Sequence, residues 1–390
     1  MNRALLSLLT LSLAASAHAQ DGPSDRPFKL IFRTTEPRIQ KGELHQDPII
    51  KSWVIPAEGI AASRKYDKLS TTFTPILDRI EQTLNARAPR NAIFRNVKGS
   101  WVAQGQTGWT FDRAATSHNL YVAIQGGKDS AEVAFKRTEP GRSAEVLARR
   151  GVLWHVATGQ SSYAGSPDFR EKNILVGAAK LDNMFVAPGE EFDFNKSIGE
   201  IDASTGFVKG FVISGGTLTK EDGGGICQVS TTVFRALYQA GLPITERHEH
   251  SHRVSYYDPV GYEATVYAPQ KNLRMKNDTG KHIFIQASWN RADQTLRFDV
   301  FGANTGREVT VSRPVVTDFK APADPSYTPD DRVALGGQRQ LDQPVQGMTS
   351  VIERTIKVGG KTISSDTLKS VYKPWGAVYG VNPNDPRLNR

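Results

Sequence analysis

Gly223-Gly224-Gly225-Ile226-Cys227-Gln228-Val229-Ser230-Thr231-Thr232-Val233-Phe234 contains the only cysteine of the 390-residue chain, and the fold is read outward from it. Val229, Val233, Leu237 and Gly241 recur at helical spacing, with Phe234 and Ala240 flanking the same face. The periodicity predicts a buried helix that opens at Ile226 or Ser230. Cys227 then lies at or just before the first turn, where the positive end of the helix dipole and unpaired backbone N–H groups favour a thiolate. Gly224 and Gly225, without Cβ atoms, let the backbone come close to a substrate and face a developing oxyanion, and Gln228 offers a side-chain donor.

Farther on, Arg247-His248-Glu249-His250-Ser251-His252 sets three imidazoles at alternate positions, which point one way if the segment is extended. One of them is a candidate general base; His248 and Ser251 are further candidates for substrate contact, and Glu263 or Asp258 for orienting the ring. A helix bearing cysteine, then a strand bearing histidine and another bearing an acid, is also the order in papain-like and transglutaminase-like cysteine enzymes, an analogy of arrangement only. The residues leave other readings open. A lone cysteine often serves as a small buried hydrophobe, the glycines as a tight turn, and the histidines as a solvated edge. His-x-His-x-His with a thiol or carboxylate could also hold zinc or copper, but the glycine-helix setting of Cys227 suits an oxyanion better than a fourth ligand. No metal and no cofactor is assigned, and the glycines lack the lysine and hydroxyl of a phosphate loop.

The chain opens with Arg3, an apolar run from Ala4 to Ala15 and the small-x-small tripeptide Ala17-His18-Ala19, the pattern of a signal peptide cut near Ala19. A secreted or periplasmic protein is expected, with no transmembrane segment in the mature chain. One cysteine permits no internal disulfide, so stability must come from ordinary cores. The formal charge of +9, spread rather than clustered, favours an anionic envelope polymer as partner, and the export pattern disfavours nucleic acid.

Along the chain the elements alternate in type, and the fold class expected is α+β with several domains. Phe28–Thr34 and Ser52–Pro56 read as strands, and Ile76, Leu77, Ile80 and Leu84 as one face of a helix between Thr72 and Ala88. Ala92–Val97 and Trp101–Gln104 flank a turn, Asp112 is a candidate N-cap for a helix ending at Gly126-Gly127, and Glu132–Arg137 is a further strand. This makes a small α+β module over 28–145. A central β-rich unit over 161–302 takes a helix Asn173–Val186 and strands at Glu191–Phe194, Phe211–Ser214, Val254–Tyr257, Ala264–Tyr267, Ile283–Trp289 and Leu296–Phe301, besides the cysteine helix. Residues 307–390 are proline-rich, then give a hairpin over Ser350–Val358 and Lys361–Tyr372 around Gly359-Gly360, a small β appendage.

The block Gly223 to Thr232, Glu246-Arg247-His248-Glu249-His250-Ser251 and Gly261-Tyr262-Glu263-Ala264-Thr265-Val266 resemble the signature blocks of VanW domains. Ala187-Pro188-Gly189-Glu190-Glu191-Phe192 and Leu273-Arg274-Met275-Lys276-Asn277 resemble that family too, so the likeness runs from about 165 to 302. It departs at Glu263, where Asp is usual, and at His252, where Leu is usual, which singles out His250 as the family-type histidine. The 28–145 segment resembles the peptidoglycan-binding module found ahead of VanW domains, and Thr355–Gly360 with Ser370–Pro374 is similar to the glycine-named envelope β-module that trails them. The resemblance implies an exported cell-envelope protein associated with peptidoglycan. Two functions are expected from it and the residues together: a cysteine-dependent hydrolase or acyl transferase on peptidoglycan peptides with Cys227, His250 and Glu263 at its centre, or a non-catalytic cell-wall-binding scaffold.

Overall fold

The computed structural model describes residues 27–214 and 217–389; the expected signal peptide lies outside them. The α+β class holds, with helices interleaved among mostly antiparallel strands. The chain forms two compact units, each drawn from several separated segments.

The first unit takes residues 27–35, 48–88 and 108–138. It includes the first part of strand Lys29–Gln40, the second part of strand Glu43–Val54, and helices Ala57–Tyr66, Thr74–Asn85 and Arg113–Gln125. Leu77, Ile80 and Leu84 bury the apolar face of the second helix, as their spacing requires. Asp112 caps the third by accepting from the Ala115 N–H at 3.0 Å. The expected single strand over 132–137 is two short ones, Ser130–Glu132 and Phe135–Thr138. Phe28, Leu30, Phe32, Phe73, Leu120 and Ile124 fill the core.

The second unit takes 36–47, 89–107 and everything from 139 onward. Its central sheet runs in the order Trp154–Ser162, Thr295–Gly302, Ile283–Asn290, Met184–Val186, all antiparallel. The cysteine helix, Ile226–Gln239, lies on the first of these strands. A Cβ on Gly159 would collide with the helix backbone at Thr232 and Ala236, so glycine sets this close approach. Helix Asp168–Leu181 packs alongside, and Gly177 plays the same part against Ile226 and Val229. Ile174, Ala178, Val229, Val233, Phe298 and Val300 are fully shielded between sheet and helices.

Several expected elements shift. The helix placed at Asn173–Val186 starts five residues earlier, and it stops at Leu181 because Asn183 takes a left-handed conformation (φ 64°) before strand Met184–Val186. Val254–Tyr257 and Ala264–Tyr267 are not strands. The first is a short 3-10 turn, Ser255–Tyr257, and the second an irregular stretch with isolated bridges at Thr265 and Tyr267.

The C-terminal hairpin forms as expected from Gly347–Val358 and Lys361–Tyr372, with Arg307–Val311 and Val315–Lys320 on the free edge of its first strand. It packs onto the cysteine helix. Arg354, 2% exposed, donates from Nη1 to the carbonyls of Tyr238 and Leu242, both at 2.9 Å, and so satisfies backbone acceptors at the helix C-terminus. Its guanidinium also binds Asp366, which accepts from the Tyr238 hydroxyl at 2.7 Å. Among the described residues no helix is long and apolar enough to cross a membrane.

Candidate functional site

Cys227 sits in the first turn of its helix, behind Gly225, which takes φ +110° at the N-cap. Ser230, Thr231 and Arg235 follow it on the same helical face, and all three bind the backbone of the segment Tyr257–Ala264. Ser230 donates to the Ala264 carbonyl at 2.6 Å, and Thr231 accepts from the Ala264 N–H at 3.2 Å. Arg235, 5% exposed, donates to the carbonyls of Tyr257 (2.6 Å), Tyr262 (2.8 Å), Gln160 (3.0 Å) and Asp258 (3.2 Å). These side chains replace the ladder bonds that a strand would have used, which is why 254–267 is irregular yet fixed. They set Glu263 and the Tyr257 ring against the His250 imidazole.

The Cys227 Sγ lies 3.4 Å from Thr265 Oγ1 and 3.6 Å from the Val266 carbonyl, partly buried, with the His250 imidazole as a neighbour that acts on it. His250 Nδ1 is 2.9 Å from Glu263 Oε2, and the ring stacks on Tyr257 at 4.6 Å. The Nδ1 approach is close without hydrogen-bond alignment, so charge does most of the holding. Side-chain exposure falls to 14% at His250 and 3% at Glu263. Glu263 in turn accepts from the Tyr372 hydroxyl at 2.6 Å, and Arg247 donates to its backbone carbonyl at 2.7 Å.

The three groups shift one another. Burial pushes the Cys227 thiol up, but His250, the Thr265 hydroxyl and the Val266 backbone outweigh it, and the thiol ionises below its ordinary value. Burial works against the His250 imidazolium, yet the Glu263 charge and Cys227 lift it to about 9. Glu263, despite its burial, is held below the usual carboxylate range, chiefly by His250 and then by Tyr372 and Arg247. The arrangement is therefore a thiol made easier to ionise, an imidazolium at neutral pH and a carboxylate in series, a set of groups able to attack an electrophilic carbon once the thiol ionises and to return a proton.

The other expected residues lie differently. Gln228 is fully buried: its Nε2 donates to Ser161 Oγ and the Ser162 carbonyl, both at 2.8 Å, and its Oε1 accepts from Arg170. Its amide is spent on packing and is not turned to an oxyanion. The Gly224 carbonyl accepts from Asn173 at 3.0 Å, and Gly225 leaves room for Arg170. The three histidines do not share a face. His248 pairs with Glu246 at 3.0 Å, and buried His252 meets the Lys373 carbonyl at 2.9 Å and the Trp375 ring at 4.4 Å. Ser251 is exposed, and its carbonyl accepts from the Lys373 N–H at 2.7 Å. Ser251 and His252 together thus dock the chain that follows the C-terminal hairpin. Asp258 is exposed and pairs with Arg253 at 2.8 Å, which leaves Glu263 as the acid. Among the described residues no group of three or more His, Cys, Asp or Glu side chains is arranged to hold a metal ion.

Sequence reasoning missed Arg170, Tyr257 and Tyr372. Arg170 belongs to a helix whose start was placed too late, and Tyr372 is 109 residues from the carboxylate that it holds. No local pattern links them to the cysteine.

A Cys–His–Glu cluster at the start of a buried helix, framed by an α+β sheet, is the class of site defined here. Residues 169–301 match the family described as VanW like protein, and the chain carries a VanW-like domain over that range. It is similar to "Uncharacterized protein YoaR" of Bacillus subtilis (strain 168), 33% identical over 207 residues, which cover 52% of this chain and 65% of that protein. It is also similar to "Vancomycin B-type resistance protein VanW" of Enterococcus faecalis (strain ATCC 700802 / V583), 30% identical over 112 residues, covering 27% of this chain and 40% of that one. The chain thus spans less than two thirds of the length of either relative. Among solved structures, "Crystal structure of HP0197-G5" aligns with 19% of this chain and 97% of its own, at 20% identity and a TM-score of 0.11.

Proposed function

We propose that this is an exported cell-envelope protein whose VanW-like domain is a cysteine-dependent hydrolase or acyl transferase acting on peptidoglycan peptides. The observation that carries this reading is the convergence of Cys227, His250 and Glu263, with the thiol lowered and the imidazole raised. The envelope setting is supported by the likeness to a vancomycin B-type resistance protein and by the signal-peptide pattern in the sequence.

In this reading the Cys227 thiolate attacks an acyl carbon, and the oxyanion forms beside the positive end of the cysteine helix. The His250 imidazolium gives its proton to the leaving amine as the C–N bond breaks, which leaves a thioester on Cys227. The neutral imidazole then takes a proton from water, or from an acceptor amine, as that nucleophile attacks the thioester and the thiolate departs. Glu263 holds the ring and balances its charge, while Tyr257 covers one ring face.

Incubating the protein with a peptidoglycan digest and following soluble peptides by mass spectrometry tests this. New products, and an acyl adduct on Cys227, are expected from the unaltered chain and not from Cys227→Ala. Equal binding to cell walls by both chains, with no product from either, would establish the scaffold reading instead.

A further inference from the structure

We propose that Arg170 is an anion-recognition residue of the Cys227 site, and that the acyl substrate carries a free carboxylate beside the bond attacked. This rests on the nucleophile reading above. Arg170 lies in the first turn of helix Asp168–Leu181 and is 8% exposed. Nη1 donates to Ser166 Oγ at 2.5 Å, Nη2 donates to Gln228 Oε1 at 2.6 Å, and the Tyr257 hydroxyl is a third partner. A guanidinium has five N–H donors in a fixed fork, so donors are left over. Its plane covers the Tyr256 ring at 3.9 Å.

Among the described residues no carboxylate forms an ion pair with Arg170. A cation in this degree of burial ordinarily has a counter-ion, because desolvation without one is strongly unfavourable. The Glu171 carboxylate next to it in sequence pairs with Arg291 instead. Arg170 is linked to the site through Tyr257, on which Arg170 and Cys227 act with opposite sign and whose ring stacks on His250. Arg235, also buried, has only backbone carbonyls as hydrogen-bond partners. Arg170 acts on Tyr257, while Arg235, Arg247 and the His250 imidazolium act on Glu263, with Asp258 also acting on Arg235 and half-exposed Glu249 paired with Arg247. A planar fork with spare donors and no carboxylate partner of its own fits a carboxylate.

The test compares two alkylating agents of nearly equal size on the full chain, anionic iodoacetate and neutral iodoacetamide, with Cys227 modification read by mass spectrometry. In Arg170→Gln the iodoacetate-to-iodoacetamide rate ratio should fall about tenfold, corresponding to the loss of one charge-assisted contact. Arg170→Lys should retain part of it. A second arm needs no variant: N-acetylalanine should slow iodoacetamide labelling of the unaltered chain, and N-acetylalaninamide at the same ionic strength should not. Labelling by iodoacetamide with an unchanged ratio and no protection would overturn the role of Arg170 alone. Equal protection by inorganic phosphate would overturn the carboxylate assignment, and a Cys227 inert to both agents would overturn the nucleophile reading and this proposal with it.

Discussion

Tyr372 donates a 2.6 Å hydrogen bond to Oε1 of Glu263, which ties the buried carboxylate of the site to a strand outside residues 169–301. The same hydroxyl accepts from the Gly261 N–H at 2.9 Å. Tyr372→Phe removes both bonds and should destabilise the fold by about 1–3 kcal/mol, read by urea unfolding. With Glu263 less firmly held, iodoacetamide should label Cys227 more slowly at pH 7. A destabilised variant with an undiminished labelling rate would show that Tyr372 supports the fold and not the thiolate.

Glu263→Gln keeps a hydrogen-bond acceptor for Tyr372 and removes the charge that lifts His250 to about 9. The imidazole should then titrate nearer its ordinary value of about 6.5, and the thiol should rise as it loses a cationic neighbour. NMR titration of the His250 ring checks the first effect. The second should appear as a fall of about tenfold or more in Cys227 labelling at pH 7.

The thiolate–imidazolium pair should exist in a pH window bounded below by the lowered Cys227 value and above by about 9. Turnover that needs the imidazolium proton should therefore decline as pH rises through 9. Stability follows the same sign for His250. Its folded value is raised, so its contribution is complete below about 6.5 and is lost as pH rises through 9. Glu263 has the opposite sense: its contribution is present above the ordinary carboxylate value and is lost as pH falls through the lowered one. Denaturant unfolding carried well below pH 4 should lose stability on the acid side, and Glu263→Gln should flatten that limb, while on the alkaline side the lowered Cys227 thiol gains stability towards its ordinary value and opposes the loss at His250.

Gly159→Ala places a methyl group against the backbone of the cysteine helix at Thr232 and Ala236. Overpacking of this kind should cost about 1–3 kcal/mol, measured by thermal or urea unfolding. Gly141→Ala, where the added carbon meets only the Asn91 side chain at 3.9 Å, is the control and should be close to neutral. Similar losses at the two positions would mean that Gly159 does not set the helix-to-sheet distance.

The cysteine helix was legible because Val229, Val233 and Leu237 repeat at the period of a helix and all three are buried. Of the two starts that the periodicity allowed, Ile226 and Ser230, the structure has the first. His250 and Glu263 emerged from the residue types together with the family resemblance, and the structure brings His250 to the sulfur and Glu263 to the His250 ring. The segment 254–267 misled, since its β-rich composition is real but its backbone partners are Arg235, Ser230 and Thr231 side chains from the helix. Composition reports propensity, and tertiary hydrogen bonds overrode it. Tyr372 and Arg170 were illegible for a different reason. Their roles depend on contacts with residues 109 and 58 positions away, and neither stands in a pattern of its own.

Arg354 bears on where the polypeptide can be divided. The family match ends at residue 301, but the acceptors that this arginine satisfies, Tyr238 and Leu242, lie well inside the matched range. A fragment trimmed to that range would leave those carbonyls without the guanidinium and strip the aliphatic cover from the end of the cysteine helix. The boundary drawn by resemblance is thus no safe place to cut, because the core around the cysteine helix takes in Ile352 and Leu368 from the hairpin strands.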